Sequence, residues 1–461
     1  MRIRKTVPAL LLTAALTFPL LLAACTPAAK VPSPSPSLSP SPAQSADGAI
    51  TLPSLTAAPL PAMDATETDD AVQAAAVGAN AFSFRLAAAL YDGMDAPGEN
   101  FVCSPLSAWL PLAALLNATS PAQRAALSTA LGANDADAAA FNAAARRMLA
   151  RLTRVEENLD AAAYGMEAFD PLSIANAVFV QKELTLQDAF AEAFLNDYLG
   201  QAMNVDFTDA AAVDAVNAWA SEHTDGLIPK IVDDFHPSTI AALANAVYFS
   251  DRWAWEFDES ETVQGAFHAA GGDSTASYMR RAGDEQLYYE DDTMQAMPLR
   301  FVTGAELWIL LPKDGDAAAL LRSLTPEAFN AICDGGEPRT GTLLLPRFSI
   351  DTTADTLTDA LKALGVPLFD ADAAPLTGGL VKEDVPVYLS GAVQKASIRV
   401  DEKGTTAAAV TVLEAAGAGM PIPTEPFTMT CDRPFVFVLT ANGADAPSQV
   451  LFVGLVADPA K

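Results

Sequence analysis

The stretch LANAVYFSDRWAWEF, Leu243–Phe257, changes character half-way along. Its first half extends the run ALANAVYF, in which small, β-branched and aromatic residues lead to a Ser-Asp pair. Such a short apolar run, bounded by turn-forming residues, is typical of a strand buried on both faces. Its second half carries three aromatic residues, Trp253, Trp255 and Phe257, directly after that strand. The neighbouring sequence decides which fold this combination belongs to.

Runs of the same kind recur through the second part of the chain. Helical spacing dominates earlier, in VGANAFSFRLAAALYD, PLSAWLPLAALLNA and SPAQRAALSTALG, where Ser120 and Pro121 favour a helix start. The later runs IANAVFV, ELWILLP, TLLLPRFSI, FVFVLT and VLFVGLV read as strands, and the last two read as a hairpin with a turn signal at Asn442-Gly443. The pattern predicts one α+β domain with an early helical layer and buried sheets.

Composition excludes some partners. The chain has 461 residues, 51% of them hydrophobic, which is enough for a sizeable core. It has 27 basic and 57 acidic side chains and a formal net charge of -30. A field of this sign repels polyanions, so we expect no binding of nucleic acid.

The N-terminus has the features of a signal peptide. Arg2, Arg4 and Lys5 precede an apolar run and the sequence LAAC, which ends at Cys25. LAAC resembles the bacterial lipobox, so we predict a lipoprotein signal peptide over residues 1–24 and lipidation of Cys25. An ordinary secretory signal cleaved near Ala24 is the alternative.

The next segment, residues 25–70, contains repeated Ser-Pro pairs. Each proline disfavours helix at the preceding residue and gives an extended, semi-rigid chain. We interpret residues 25–70 as a spacer between a lipid anchor and a domain over residues 71–461. The predicted location is therefore the extracellular face of a bacterial membrane, with the acyl chains as the membrane contact.

The sequence contains no recognisable set of catalytic residues. The three histidines, His223, His236 and His268, have no metal-ligand spacing, and no nucleophile turn of the G-x-S-x-G type is present. Cys103, Cys333 and Cys431 form an odd set without CxxC spacing and are expected to be small buried residues. We therefore predict no enzyme activity, no cofactor and no metal site.

Six segments, in order along the chain, resemble the serpin family of serine protease inhibitors. They include ENFVCSPLSAWLPLAAL, VNAWASEHTDGLIPKIV, LANAVYFSDRWAWEF and LLLPRFSID, then DRPFVFVL and LFVGLVADP. The residues that carry the resemblance are Asn100, Ser104, Pro105, Ser107, Asn245, Tyr248, Phe249, Trp253, Phe257, Pro346, Phe348, Pro434, Phe435, Phe452 and Gly454. The resemblance implies a serpin fold, with a helical layer, three β-sheets and an exposed reactive-centre loop.

The segment VQKASIRVDEKGTTAAAVT resembles the hinge at which that loop begins. The matching hinge positions are Glu402, Gly404, Thr405, Thr406, Ala407, Ala408 and Ala409. The resemblance implies a suicide substrate: a serine protease cuts the loop, and the loop inserts into the central sheet while the protease is still bound as a covalent acyl complex.

The loop residues suit insertion. Alternation along a strand places Thr405, Ala407, Ala409, Thr411 and Leu413 on one face, and none of them is charged. Glu414, the first ionisable residue after the hinge, falls on the opposite face. No proline interrupts Val400–Met420, so each backbone N–H can join a ladder.

The family's usual spacing from Gly404 places the reactive bond at Ala418–Gly419, with Met420 as the alternative. A small residue before the cut suits elastase-like or subtilisin-like enzymes, whereas Met420 would admit chymotrypsin-like enzymes. The resemblance also implies a sheet-opening region, which comprises Ser104, Ser107, Asn245, Trp253 and Gln394. At Gln394 the family often has histidine. Glutamine can both donate and accept, so it can bond the serine-rich region beneath the sheet.

Two functions follow from the resemblance. The first is a monomeric, surface-displayed trap for serine endopeptidases. The alternative is a non-inhibitory serpin-like binding lipoprotein, which bulky, charged or proline-containing hinge residues would favour.

Overall fold

The computed structural model describes residues 70–94, 98–133, 137–153, 172–226, 228–392, 394–405, 426–443 and 446–461. Helices come first. Their bounds are α1 Asp70–Asp92, α2 Pro105–Ala114, α3 Pro121–Ala130, α4 Ala138–Leu152, α5 Asp188–Asp197, α6 Ala211–His223, α7 Ala317–Ser323, α8 Pro326–Asp334 and α9 Leu357–Ala363. Short 3₁₀ turns cover Leu115–Ala118 and Glu259–Glu261. Among these residues no helix is both long and apolar enough to span a bilayer.

Helix α2 shows how the sequence forms this layer. Pro105 occupies its first turn, where a missing N–H costs nothing and the fixed φ suits a helix. Trp109, Leu110 and Ala113 are completely buried, so the helix lies within the core rather than on its surface. Ser120 stands at the start of α3 as predicted, although its side chain makes no capping hydrogen bond.

Strands occupy most of the remaining described chain. Their bounds are β1 Phe101–Cys103, β2 Leu172–Gln181, β3 Gly200–Val205, β4 Ala241–Phe249, β5 Val263–Ala269, β6 Gly272–Glu290, β7 Met294–Arg300, β8 Glu306–Pro312, β9 Glu337–Pro346, β10 Phe348–Ala354, β11 Gln394–Val400, β12 Phe427–Thr430, β13 Phe435–Gly443 and β14 Ala446–Val456.

The strands form three sheets. The largest follows the order β1-β14-β13-β8-β7-β6-β9-β12, with β5 paired to β6. Every residue of β8 is buried, and Val436, Phe437, Val438 and Leu439 of β13 are inaccessible to solvent. Consecutive burial of this kind explains why these strands read as continuous apolar runs. β13 and β14 pair as the predicted hairpin, with Phe435 opposite Val456.

The two smaller sheets are β3-β2-β4 and β10-β11. Strand β4 is an edge of the first sheet and β11 is an edge of the second. They run side by side in the same direction, because their first residues line one cavity and the segments that follow them meet at an Arg252–Gly404 bridge. Among the described residues no ladder joins β4 to β11 along their length, and we call the space between these two strands the gap.

Candidate functional site

The candidate site begins where the gap is closed, at the root of the predicted loop. The segment after β4 holds residues 401–405 through backbone hydrogen bonds. Thr405 N donates to the Asp251 carbonyl, Trp253 N to the Lys403 carbonyl and Phe257 N to the Glu402 carbonyl, each at 2.9 Å. The indole of Trp253 adds a bond to the Asp401 carbonyl at 2.8 Å. Trp253 is held in turn by stacking on Phe301, with ring centroids 4.3 Å apart.

Thr405 is already inside the structure. Its side chain is buried, and its hydroxyl accepts from the backbone N–H of Asp251 at 3.0 Å. Together with the Arg252–Gly404 bridge, this contact makes Lys403–Thr405 the first antiparallel residues beside β4. The hinge therefore starts as a short strand at the closed end of the gap.

Gly404 is required at this point for two reasons. Its φ is +149°, a conformation that residues with a side chain rarely adopt, and a Cβ there would lie 2.1 Å from the Asp251 carbonyl oxygen. The close approach is what allows Thr405 to reach Asp251.

Glu402 is a buried carboxylate with specific partners. Arg347 Nε donates to Glu402 Oε1 at 2.7 Å, and the Thr262 hydroxyl donates to the same oxygen. Burial alone would raise the pKa of Glu402, but the hydrogen bonds from Arg347 and Thr262 outweigh it, and the pKa falls below its usual range. The Glu402 side chain is 4% exposed and that of Arg347 is 46% exposed. The carboxylate therefore needs the ion pair to stay charged, whereas water can solvate the guanidinium.

The open end of the gap is a cavity of about 510 Å³ between β4 and the start of β11. Leu112 of α2, Leu115 of the 3₁₀ turn that follows it, and Ile231 and Phe235 of the segment after α6 line this cavity. The first residues of β4 and β11, Ala241 and Gln394, also line it. A space of this shape suits an added strand.

Gln394 ties the start of β11 to α2. Its Nε2 donates to the Ser104 carbonyl and to the Ser107 hydroxyl, both at 2.8 Å, and the Ser104 N–H donates to its Oε1 at 3.1 Å. Three of the predicted sheet-opening residues therefore meet in one cluster. The amide acts as donor and acceptor at once.

The other two members of that set lie elsewhere. Asn245 lines the same cavity and donates to Asn176 Oδ1 at 2.7 Å, while its own Oδ1 is buried and receives no hydrogen bond from the described residues. Trp253 lies at the closed end. The predicted set thus marks both ends of the gap rather than one cluster.

Several predicted residues lie outside the described part of the chain. These are Cys25, the hinge residues Thr406, Ala407, Ala408 and Ala409, and the reactive-bond residues Ala418, Gly419 and Met420. They remain predictions.

Sequence reasoning missed three residues at the loop root: Asp251, Thr262 and Arg347. Arg347 stands inside the family-like segment LLLPRFSID, where Pro346 and Phe348 carried the resemblance. A buried carboxylate such as that of Glu402 needs a cationic partner, but no spacing rule identifies Arg347, 55 residues away in the chain, as that partner.

Metal and thiol chemistry receives no support from the described side chains. No group of three or more histidine, cysteine or acidic side chains there is arranged to hold a metal ion. Cys103 and Cys431 are fully buried, and burial raises the pKa of the half-buried Cys333 to about 12. These thiols are packing residues.

The family profile described as Serpin (serine protease inhibitor) matches residues 77–459. The chain belongs to the serpin family. Alpha-1-antiproteinase S of Cavia porcellus is 31% identical over 293 residues, which cover 63% of this chain and 70% of that protein. The predicted family and the predicted α+β fold with three sheets are confirmed.

Solved serpin structures have the same fold. The native state of tengpin, a thermophilic serpin, superposes with a TM-score of 0.72 at 24% identity, over 89% of this chain and 100% of that one. Human thyroxine-binding globulin, in complex with thyroxine, gives a TM-score of 0.71 at 22% identity, over 84% of this chain and 99% of that one. At these identities the likeness concerns the fold.

The Glu402–Arg347 pair predicts an asymmetry between two substitutions. Arg347→Ala leaves the buried Glu402 carboxylate without its cation and should lower the free energy of unfolding by ~3 kcal/mol at pH 7. Glu402→Gln leaves an arginine that water can reach, so it should lower the free energy of unfolding by less. Because the pKa of Glu402 is lowered in the folded state, its contribution is present above the unfolded value of 4.5 and is lost as pH falls through the folded pKa. Urea unfolding of both variants and the wild type between pH 7 and pH 3 measures this. Equal losses at pH 7, or a wild-type advantage that does not shrink as the pH falls, would contradict it.

The close backbone approach at Gly404 leads to a second prediction. Gly404→Ala should break the Thr405–Asp251 pairing, so that the Thr405 amide exchanges with solvent at least ~10-fold faster. Gly283→Ala is the matched control, because Gly283 also has a positive φ, of 91°, but a Cβ there meets nothing within 4 Å. Hydrogen exchange with residue resolution measures both variants. Retained protection at Thr405 in Gly404→Ala would show that the close approach is not what holds the hinge.

Proposed function

We propose that this serpin is a suicide inhibitor of serine endopeptidases, elastase-like or subtilisin-like, displayed on the outer face of a bacterial membrane. The observation that carries the proposal is the gap between β4 and β11, closed at one end by the hinge and open over an apolar cavity. The loop between Thr405 and β12 is long enough to fill this gap.

The hinge fixes a register for insertion. Gly404 is opposite Arg252 and Thr405 follows opposite Asp251, so each further step along the loop moves one step back along β4. Ala407 would then lie opposite Phe249, and Ala409 opposite Val247. Phe249 and Val247 both belong to the main core, so these alanines would enter it on the same side.

The rest of the register also suits burial. Thr411 would lie opposite Asn245, whose buried Oδ1 could accept from the threonine hydroxyl, and Leu413 opposite Leu243 above the cavity floor. Glu414 would lie opposite Ala242 on the other face. Insertion therefore places small and apolar residues inside and leaves the carboxylate out of the main core.

Inhibition depends on the order of two events, insertion of the cut loop and hydrolysis of the acyl ester. The protease serine attacks the Ala418 carbonyl, the Ala418–Gly419 bond breaks, and the Gly419 amine leaves, so that an ester joins Ala418 to the protease. Insertion of fourteen residues then carries that ester roughly 45 Å along the sheet. If this movement precedes attack by water, the protease is displaced and distorted before it can deacylate.

Display on the membrane is part of the proposal. The predicted signal peptide over residues 1–24, the lipobox-like LAAC before Cys25 and the Ser-Pro spacer support it. Two or three acyl chains would give stable attachment, and the spacer would hold the inhibitor where it meets exogenous proteases.

Incubation with an elastase or a subtilisin tests the function. The wild type should form an adduct that survives boiling in detergent. Mass spectrometry should show that the released C-terminal fragment begins at Gly419, or at Pro421 if the cut follows Met420. Thr405→Arg puts a charge on the inserting face and should give mostly cleaved inhibitor without adduct. Thr406→Arg, on the opposite face, is the matched control and should keep most of the adduct. Clean cleavage of the wild type without adduct would replace the trap with a non-inhibitory binding protein.

A further inference from the structure

Trp255 stands out among the tryptophans of this chain. It is 61% exposed, whereas Trp109, Trp219, Trp253 and Trp308 are all buried. A tryptophan this exposed buries little of its ring in the monomer, and tryptophan is enriched at contact surfaces.

Trp255 lies beside the loop root. It stands between Trp253 and Phe257, whose backbone N–H groups bond Lys403 and Glu402. Its carbonyl accepts a hydrogen bond from Arg281, and the Arg281 guanidinium lies 4.2 Å from the ring centroid of Phe257. The backbone around Trp255 is therefore fixed on both sides while its ring faces solvent.

Two other exposed apolar side chains share this location. Val302 is 44% exposed, and its N–H donates to the Arg252 carbonyl beside Gly404. Val263 is 49% exposed and follows Thr262, which bonds Glu402. We call Trp255, Val263 and Val302 the apolar rim: Trp255 and Val263 lie within two residues of a residue that bonds Lys403 or Glu402, and Val302 bonds Arg252, which bridges to Gly404.

The rim also lies close to the other end of the loop, which rejoins the described structure just before β12. Arg281 of β6 is opposite Leu343 of β9, and Leu343 is opposite Met429 of β12. Two strand spacings, about 10 Å, separate Arg281 from Met429. The described residues on both flanks of the loop therefore lie near Trp255.

We propose that the apolar rim is a docking surface for the serine endopeptidase that engages the loop, and that it fits a protease with an apolar patch beside its active-site cleft. This inference rests on the proposed function. Ala418 is nine positions before Phe427, so the predicted reactive bond can lie no more than about 30 Å from β12, roughly the diameter of a small domain. A protease held at that bond is confined above the rim. Confinement gives an effective concentration in the mM range, at which a single tryptophan contact adds to binding.

Inhibition kinetics test the docking surface. Trp255→Ala should lower the second-order rate constant for inhibition of an elastase by about 5–10-fold, with the stoichiometry of inhibition and the melting temperature unchanged. Tyr388→Ala is the matched control: Tyr388 is 40% exposed but precedes the start of β11, at the opposite end of that strand from the hinge. The Tyr388→Ala variant should inhibit elastase at the wild-type rate.

Fluorescence provides a readout that a structural role would not move. Because Trp255 is the exposed tryptophan, acrylamide quenching of the intact protein reports mainly on it. Excess elastase whose catalytic serine is replaced by alanine should dock without cleaving and should reduce that quenching, in the wild type and in Tyr388→Ala alike.

Each outcome has a distinct meaning. Normal adduct formation with equal rates for Trp255→Ala and wild type would overturn the docking surface alone, whereas absence of adduct in the wild type would overturn the proposed function. Sedimentation as a dimer that Trp255→Ala dissociates would assign the rim to a second copy of the chain and overturn the proposal. Quenching that is low before protease is added, and that rises when the loop is nicked, would show that the loop itself covers Trp255 and would also overturn it.

Discussion

The backbone pairing between Asp251–Trp253 and Lys403–Thr405 is the constraint on which the rest of this structure depends. It closes one end of the gap between two sheets and fixes the register in which a further strand can enter. The register proposed for insertion of the loop beside β4 is counted from this pairing.

The residues around this pairing act by steric and electrostatic means. Gly404 allows two backbones to approach more closely than any side chain permits, and Trp253 anchors the segment by stacking on Phe301. Glu402 is held by Arg347 and Thr262, which stabilise a charge that burial would otherwise penalise. At the far end Gln394 holds β11 to α2 while leaving the cavity between β11 and β4 open. The gap is thus fixed at both ends and lacks ladder hydrogen bonds between them in the described chain.

Much of the fold could be predicted from local pattern. Consecutive apolar residues in β8 and β13 predicted strands buried on both faces, and helical spacing predicted α1, α2 and α3. The family resemblance supplied Gln394, Ser104 and Trp253, because those residues stand in segments with recognisable neighbours. It could not supply Arg347 as the partner of Glu402 or Asp251 as the partner of Thr405. Such contacts join segments 55 and 154 residues apart, and no periodicity in the sequence encodes which distant side chain meets which. The residue pattern of β4 and β11 also could not predict the gap, because a strand has the same apolar pattern whether or not its neighbour is hydrogen-bonded to it.

The central claim is that a severed loop gains free energy by becoming a strand between β4 and β11. Thermal unfolding of the intact protein and of protein nicked at the reactive bond, compared by calorimetry under identical conditions, tests this most directly. About ten newly paired residues with ladder bonds on both edges should raise the melting temperature of the nicked form by more than ~10 °C. A nicked form that melts at or below the temperature of the intact protein would contradict the account.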